Sequence, residues 1–169
     1  ICEPVLGYII EQTQLQNTLY QAMSYNPNIL HLTQERVSSI NNQENNIIIE
    51  TDNGVCIKAD LLVAADGINS GVRSIAGLDF LQHDYCQKAI ACVVKTSLPH
   101  ENIARQRFLS RGPLAFLPMV DPHTCAIVWS TEPVVAKGLL ELDDEAFAGQ
   151  LQQAFEFRLG DVISCQPRV

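Results

Sequence analysis

The sequence lacks the features that mark several large classes of protein. None of its apolar runs approaches the roughly 20 residues needed to span a bilayer. No cluster of Lys and Arg interleaved with aromatic residues is present, and the net charge is −8, from 19 acidic and 11 basic residues. A surface of this charge repels nucleic acid. We therefore predict neither a membrane-spanning helix nor a nucleic-acid partner.

Metal-binding and disulfide patterns are missing as well. The six cysteines, at positions 2, 56, 86, 92, 125 and 165, form no C-x-x-C pair and follow no zinc-ligand spacing. No H-E-x-x-H occurs, and His83 with Cys86 supplies only two of the three or four ligands that zinc requires. We predict no metal site, and reduced cysteines that act as small buried hydrophobic residues in a cytoplasmic protein.

What is present is typical of a globular domain. Hydrophobic residues make up 47% of the 169 residues and charged residues 18%. A chain of this length forms one domain or part of a larger protein. Because it begins with Ile1 rather than Met and shows no secretory signal, we expect a segment of a longer protein.

The first part of the chain predicts one helix and then a strand meander. Apolar positions recur at helical spacing, at Leu15, Leu19, Ala22 and Met23. They predict a helix over 12–25 that is stopped by Asn26-Pro27, with Leu15 and Leu19 in the core. The β-prone runs that follow are 29–32, 36–40, 47–51 and 55–57, separated by the Asn/Gln-rich loop 41–46 and the hairpin-like turn 52–54.

The stretch 61–73 carries the most chemical information. Residues 61–65 have the length and composition of a buried strand, which ends at the turn Asp66-Gly67. Ser70 then offers N-cap chemistry for a short helix through Arg73. A strand, a glycine turn and a helix start together predict an anion site, in which Arg73 pairs with a phosphate. The alternative is a plain turn followed by a capped surface helix.

The second part of the chain changes character after Gly77. Four β-prone runs without intervening helices, 88–95, 106–110, 114–119 and 125–131, predict an antiparallel sheet. A helix follows, capped near Asp143 or Asp144, with Phe147, Leu151, Ala154 and Phe155 on one face and Gly160 as its stop. The predicted fold class is α+β, and the boundary between 1–77 and 78–169 rests on this change of pattern alone.

The stretch 65–73, Ala-Asp-Gly-Ile-Asn-Ser-Gly-Val-Arg, resembles the A-D-G-x-x-S-x-V-R fingerprint of class A FAD-dependent aromatic monooxygenases, which have the para-hydroxybenzoate hydroxylase fold. Further stretches resemble the ubiquinone-biosynthesis hydroxylase branch of that family. They are 6–11 (LGYIIE), 104–106 (ARQ), 114–118 (LAFLP), 127–130 (IVWS) and 158–160 (RLG). The resemblance runs over nearly the whole chain, which matches the middle of such an enzyme.

The resemblance implies how the chain is divided. Residues 1–77 correspond to part of an FAD-binding α/β domain with its DG motif. Residues 78–169 correspond to a substrate-binding domain, mostly antiparallel sheet with a covering helix and incomplete at its C-terminus. The family's G-x-G-x-x-G and its later Gly-Asp segment are absent from this sequence.

The resemblance also implies which residues contact the cofactor and substrate. Asp66, Gly67, Ser70 and Arg73 would organise FAD and the transient nicotinamide site. Gln12 would lie near the flavin diphosphate, although a solvated glutamine at a helix start explains it equally well.

The predicted substrate pocket is Phe116, Leu117 and Pro118. Strand alternation places Phe116 and Pro118 on one face and Leu117 on the other. For Leu117 and Trp129 the alternative is a core position, since large apolar residues are usually buried. No titratable residue of this part stands out as a catalytic base, and we predict no catalytic side chain.

The implied activity of the parent protein is hydroxylation of a polyprenyl phenol or quinol ring in ubiquinone biosynthesis, with FAD as cofactor and NAD(P)H and O₂ as co-substrates. In such enzymes the flavin carries the oxygen chemistry, and the protein supplies position and exclusion of water. The chain alone would bind FAD poorly and turn nothing over. Association with a ubiquinone-biosynthesis complex, and peripheral contact with a membrane that holds the lipid substrate, would follow.

Three alternatives compete with this hypothesis. A related reductase or halogenase of the same fold would carry a similar DG motif. A non-catalytic quinone- or lipid-binding module would bind a prenylated phenol without flavin. A structural subunit of a biosynthetic complex would bind partner enzymes and no small molecule.

Overall fold

The computed structural model describes residues 7–169, so that Cys2, and Leu6 of the stretch 6–11, lie outside the described residues. The chain divides into two compact units: one combines residues up to Leu15 with Asp84–Val169, and the other is Gln16–His83. The predicted division at Gly77 differs from this one, because the residues before Leu15 group with the second part of the chain. Over the described range, no helix is long and apolar enough to cross a bilayer.

The unit Gln16–His83 contains helices and a small sheet. Its elements are α1 (Gln12–Ser24, which begins in the other unit), β1 (Val37–Asn42), β2 (Ile47–Thr51), β3 (Cys56–Ala59) and α2 (Gly71–Ile75). The three strands are antiparallel in the order β1-β2-β3. A tight turn joins β2 to β3: Gly54 has φ +80°, and its N–H donates to the carbonyl of Thr51. The predicted meander 36–57 is confirmed.

Three expectations for residues 12–65 are wrong. Residues 29–32 form no strand; the N–H of Ile29 closes a turn onto the carbonyl of Asn26 instead. Helix α1 forms where it is predicted, but Leu15 and Leu19 are 48% and 54% exposed and no residue of α1 is buried. Helical periodicity fixes which residues share a face, whereas burial requires a second element to cover that face.

The predicted buried strand 61–65 does not form either. These residues pair with no strand, and Leu61 and Val63 are 75% and 73% exposed. An apolar run becomes a buried strand only when neighbouring strands take up its backbone hydrogen bonds and cover both of its faces. Neither condition is met within residues 7–169.

The other unit is built on one antiparallel sheet. Its strands are β4 (Lys88–Thr96), β5 (Arg105–Leu109), β6 (Gly112–Pro118), β7 (Thr124–Thr131) and β8 (Val162–Cys165), arranged in the order β5-β6-β7-β4-β8. Helices α3 (Pro133–Glu141) and α4 (Asp144–Ala154) pack on one face of this sheet. The four predicted strands and the end of β6 at Pro118 are confirmed. The predicted helix forms as α4 with its N-cap at Asp143, but it ends at Ala154 and not at Gly160.

The core lies between this sheet and its two helices. The sheet contributes alternate side chains such as Ile90, Leu114 and Ile127, and the helices contribute Phe147 and Leu151, all of them at most 1% exposed. Alternation along the strands produces this pattern, since every second side chain points to the same face.

Helix α3 and strand β8 are absent from the prediction. Pro133 at the first turn of α3 is a helix-start signal, because proline lacks the N–H that would have no partner there. Strand β8 has only four residues, and its pairing with the edge of β4 is a long-range contact that local pattern does not reveal.

Candidate functional site

The Asp66-Gly67 motif forms a sharp turn that leads into α2. Gly67 has φ +87°, a conformation that residues with a Cβ rarely adopt. A methyl group added at Gly67 would meet nothing within 4 Å, so backbone conformation, and not crowding, requires glycine here.

The Asp66 carboxylate organises the start of α2. Its Oδ1 accepts a hydrogen bond from the hydroxyl of Ser70, and its Oδ2 accepts one from the N–H of Val72 at 3.2 Å. The hydrogen bond from Ser70, followed by that from Val72, lowers the pKa of Asp66 below its ordinary value of 3.8. The Ser70 hydroxyl also accepts from the N–H of Arg73 at 3.0 Å and is therefore the N-cap of the helix, as predicted.

The Arg73 guanidinium binds within the same turn. Its Nη2 donates to the carbonyl of Ile68 at 2.6 Å, and its carbon lies 3.8 Å from the ring centroid of Phe80. This cation–π contact and hydrogen bond hold the side chain against its own segment.

The start of α2 therefore does not offer the free N–H groups that the expected anion site requires. Helix α2 has five residues, and the N–H groups of Val72 and Arg73 are already taken by Asp66 and Ser70. The carboxylate of Asp66 occupies the position that an external anion would take, since it supplies negative charge to the same donors. What the turn offers a ligand is the remaining acceptor capacity of an exposed carboxylate.

Gln12 is the first residue of α1 and is exposed. It belongs to the unit that contains the five-stranded sheet, whereas Asp66 and Arg73 belong to the other unit. The contact of Gln12 with a cofactor stays a prediction.

The five-stranded sheet separates the predicted pocket residues. Phe116 is 2% exposed and its ring stacks on Phe155 of α4 with the centroids 4.0 Å apart, so it belongs to the core. Pro118 shares its face by alternation and is half-buried at the end of β6. The expectation that Phe116 walls a cavity is corrected because α4 covers its face of the sheet. Trp129 is also a core residue, at 7% exposed.

Leu117 lies on the opposite face, which we call the open face. It consists of alternate positions that point away from the core: Ala91, Val93, Ala115, Leu117, Ala126 and Val128. In the register of the sheet, Leu117 pairs with Ala126 and Ala126 with Val93. These six positions make the centre of the open face apolar.

A cavity of about 280 Å³ adjoins the open face at Ala126. Its other walls are the segment that leads into the first turn of α1, that turn itself, and the start of the β6–β7 connection. The residues that line it are Tyr8, Ile9, Ile10, Glu11, Gln14, Met119, Val120 and Ala126. Apolar walls with a few polar groups are typical of a small-molecule site. Sequence reasoning missed this cavity, although the alternation that buries Cys125 and Ile127 indicates that Ala126 faces away from the core.

The five described cysteines differ in exposure, and Cys165 is half-buried. Cys56 and Cys86 are exposed, contrary to the expectation of burial, whereas Cys92 and Cys125 are buried, as expected. Burial raises the pKa of both buried thiols to about 11, which keeps them protonated and unreactive near neutral pH. No group of three or more potential metal ligands occurs among residues 7–169.

Comparison with known proteins adds the family. The family profile described as "FAD binding domain" matches residues 2–166. The chain is 30% identical over 159 residues to 3-demethoxyubiquinol 3-hydroxylase of Escherichia coli, covering 94% of this chain and 40% of that protein. It is 42% identical over 104 residues to the mitochondrial ubiquinone biosynthesis monooxygenase COQ6 of Danio rerio, covering 61% of this chain and 21% of that protein.

Solved structures show the same fold. One is PqsL, a probable FAD-dependent monooxygenase from Pseudomonas aeruginosa. It superposes with a TM-score of 0.70 at 18% identity, over 90% of this chain and 45% of that one. A salicylate hydroxylase substrate complex superposes with a TM-score of 0.63 at 19% identity, over 92% and 44%.

The chain spans 21% and 40% of the length of the two curated relatives. The profile nevertheless covers nearly every residue of it, including the DG turn and the five-stranded sheet. FAD is the cofactor of this family. The chain belongs to the FAD binding domain family and has the fold of its FAD-dependent monooxygenases.

Proposed function

We propose that the full protein is an FAD-dependent monooxygenase that hydroxylates the ring of a polyprenyl phenol or quinol in ubiquinone biosynthesis, with NAD(P)H and O₂ as co-substrates. The observation that carries the proposal is the similarity, over 94% of the chain, to an enzyme named 3-demethoxyubiquinol 3-hydroxylase. The apolar open face and its cavity support it, because a prenylated ring is itself largely apolar.

The DG turn fits a part of FAD that carries hydroxyl groups. Two hydrogen bonds to Asp66 leave further lone pairs on an exposed carboxylate, which can accept hydrogen bonds from ribose or ribityl hydroxyls. The space beside Gly67 is open, so a ligand can approach its backbone. We assign Asp66, Gly67, Ser70 and Arg73 to cofactor binding, Ser70 and Arg73 by holding the turn in shape, with Gln12 as a further contact.

When bound, FAD supplies the oxidation–reduction chemistry, passing electrons from NAD(P)H to O₂. The residues of this chain act by position and by exclusion of water. Leu117 and Ala126 form an apolar floor beside the cavity, and apolar walls would exclude water and so suppress side reactions at the bound ring. No described residue is assigned a catalytic proton transfer.

The visible absorption spectrum of the purified full-length protein, before and after anaerobic addition of NAD(P)H, tests this proposal. We expect the bands of oxidised flavin, bleached on reduction, and oxidation of NAD(P)H that is stimulated by a prenylated phenol. A colourless protein that takes up no added FAD contradicts the proposal. If that protein still bound a prenylated phenol, it would be a non-catalytic quinone-binding module.

We further propose that the protein meets its lipid substrate at a membrane surface, within a complex of biosynthetic enzymes. The insolubility of a polyprenyl chain in water supports this proposal. Flotation of the full-length protein with liposomes that contain a prenylated quinone, compared with liposomes that lack it, tests the membrane contact. Recovery of the protein in the soluble fraction in both cases would contradict it.

A further inference from the structure

Gln106 places a side-chain amide at the β5 border of the open face. Gln106 on β5 pairs in register with Ala115 of β6, which pairs with Val128 of β7. Its neighbour Arg107 binds Glu156, which follows α4, at 2.6 Å and so points to the face that the helices cover. Alternation therefore directs the Gln106 side chain to the open face.

The surroundings of Gln106 leave its amide available. The residue is exposed, and within residues 7–169 its side chain makes no hydrogen bond. The residue beside it on the open face is Ala115, whose methyl group fills little space. Phe108, the next residue of β5 on this face, is 81% exposed and forms an apolar flank.

The spacing of the strands sets the distance from Gln106 to the cavity. Val128 is two strands away, and Ala126, which lines the cavity, lies two residues before Val128 on the same strand. Adjacent strands lie about 4.8 Å apart, so the two sites are separated by roughly 10 to 12 Å. A substituted phenol ring with its first prenyl unit spans a length of this order.

We propose that Gln106 binds a ring oxygen of the substrate and thereby determines its specificity, while the apolar remainder lies on the open face toward the cavity. This inference rests on the proposed function. An amide both donates and accepts, so it pairs with a phenolic hydroxyl as well as with a quinone carbonyl. It carries no charge and therefore costs less to desolvate than a carboxylate in an apolar site.

The test compares Gln106→Leu with Gln150→Leu in the full-length, FAD-loaded protein. Both replace an exposed glutamine by a side chain of similar size, but Gln150 lies on α4, on the other side of the sheet. For a short-chain prenylated phenol we expect kcat/KM of Gln106→Leu to fall about tenfold or more, because the ring oxygen loses its partner. The preference for the phenol over its O-methyl ether should shrink.

Two further readouts separate substrate contact from a structural role. The flavin spectrum and the melting temperature should be unchanged in Gln106→Leu, while the share of NAD(P)H oxidation that yields H₂O₂ should rise. An unchanged kcat/KM and unchanged preference for the phenol would overturn the inference.

Direct binding of the same phenol, measured by calorimetry, distinguishes this inference from the proposed function. Weaker binding by Gln106→Leu supports the role of Gln106 even in a protein that oxidises no NAD(P)H. Equal binding by both variants and the unaltered protein overturns it, whatever the activity. A protein that binds no prenylated phenol overturns both proposals.

Discussion

Two glycines of this protein differ in how much space surrounds them. Gly112 at the start of β6 has φ +140°, and a Cβ placed there would lie 2.2 Å from the carbonyl oxygen of Ser130. Gly138 in α3 has nothing within 4 Å of the same position. A side chain at Gly112 would therefore clash with the backbone of β7, whereas a side chain at Gly138 would meet no other atom.

Gly112→Ala should lower the free energy of unfolding by about 2–5 kcal/mol, since it adds backbone strain and displaces the carbonyl of a neighbouring strand. Gly138→Ala, the matched control, should raise it by about 0.5–1 kcal/mol because alanine favours the helix. Urea unfolding of the two variants measures both changes. Similar stabilities for the two would contradict the close approach of β6 to β7.

Phe116 and Leu117 are adjacent in sequence and should respond differently to truncation. Phe116→Ala removes a ring stacked on Phe155 in the core and should cost about 3–5 kcal/mol of stability. Leu117→Ala on the open face should cost less stability and should raise KM for a prenylated phenol in the full-length enzyme.

Unfolding curves and steady-state kinetics of both variants give the comparison. If Phe116→Ala left stability intact and altered only KM, Phe116 would be a pocket residue after all.

The DG turn is a local element whose geometry is sensitive to acid. The Ser70 hydroxyl, first, and the Val72 N–H, second, hold the pKa of Asp66 below 3.8. A carboxyl whose pKa is lower in the folded state stabilises that state at pH values above its ordinary pKa, and this contribution is lost as pH falls below it. The turn should therefore weaken below about pH 4.

Asp66→Asn should remove this pH dependence. We expect the variant to be less stable than the unaltered protein above pH 4, and the difference to shrink as the pH approaches 3. Unfolding monitored between pH 2.5 and 6 measures it, with Asp60→Asn, an exposed position before the turn, as the control. A stability difference that stays constant with pH would show that the Asp66 carboxylate does not hold the turn.

Helix α1 and the segment 61–65 expose apolar residues that their sequence pattern would place in a core. Both are apolar in pattern, yet Leu19 and Val63 are largely exposed within the described residues. The relatives are at least about twice as long as this chain, so their additional residues are available to cover such surfaces. In the larger unit, by contrast, α3 and α4 already cover one face of the sheet.

These 169 residues carry only part of what the proposed enzyme needs. The sequence has no G-x-G-x-x-G, the phosphate-binding turn of a dinucleotide site. We expect these 169 residues, expressed alone, to bind FAD weakly and to turn over no phenol. Equilibrium dialysis against FAD, with the full-length protein as the control, measures the difference. Flavin retained by the short chain as well as by the full protein would contradict this expectation.

Much of the fold is predictable because it follows from local pattern. The run 125–131 is rich in β-prone residues, so it predicts β7, and the spacing of Phe147 and Leu151 with Asp143 before them predicts α4. The DG turn is predictable as well, since Asp66-Gly67 and the Ser70 cap act within a few residues of one another. Such signals depend on chain neighbours, which the sequence states directly.

Only the tertiary structure decided which face of the five-stranded sheet is buried and which is open. Alternation separates Phe116 from Leu117, but only the packing of α4 onto one side of the sheet makes Phe116 a core residue and leaves Leu117 on the open face. Likewise, only the folded turn shows that Asp66 already occupies the donors at the start of α2. Periodicity identifies which residues share a face, whereas burial, pairing and cavity walls depend on segments distant in sequence, and their contacts form only when the chain folds.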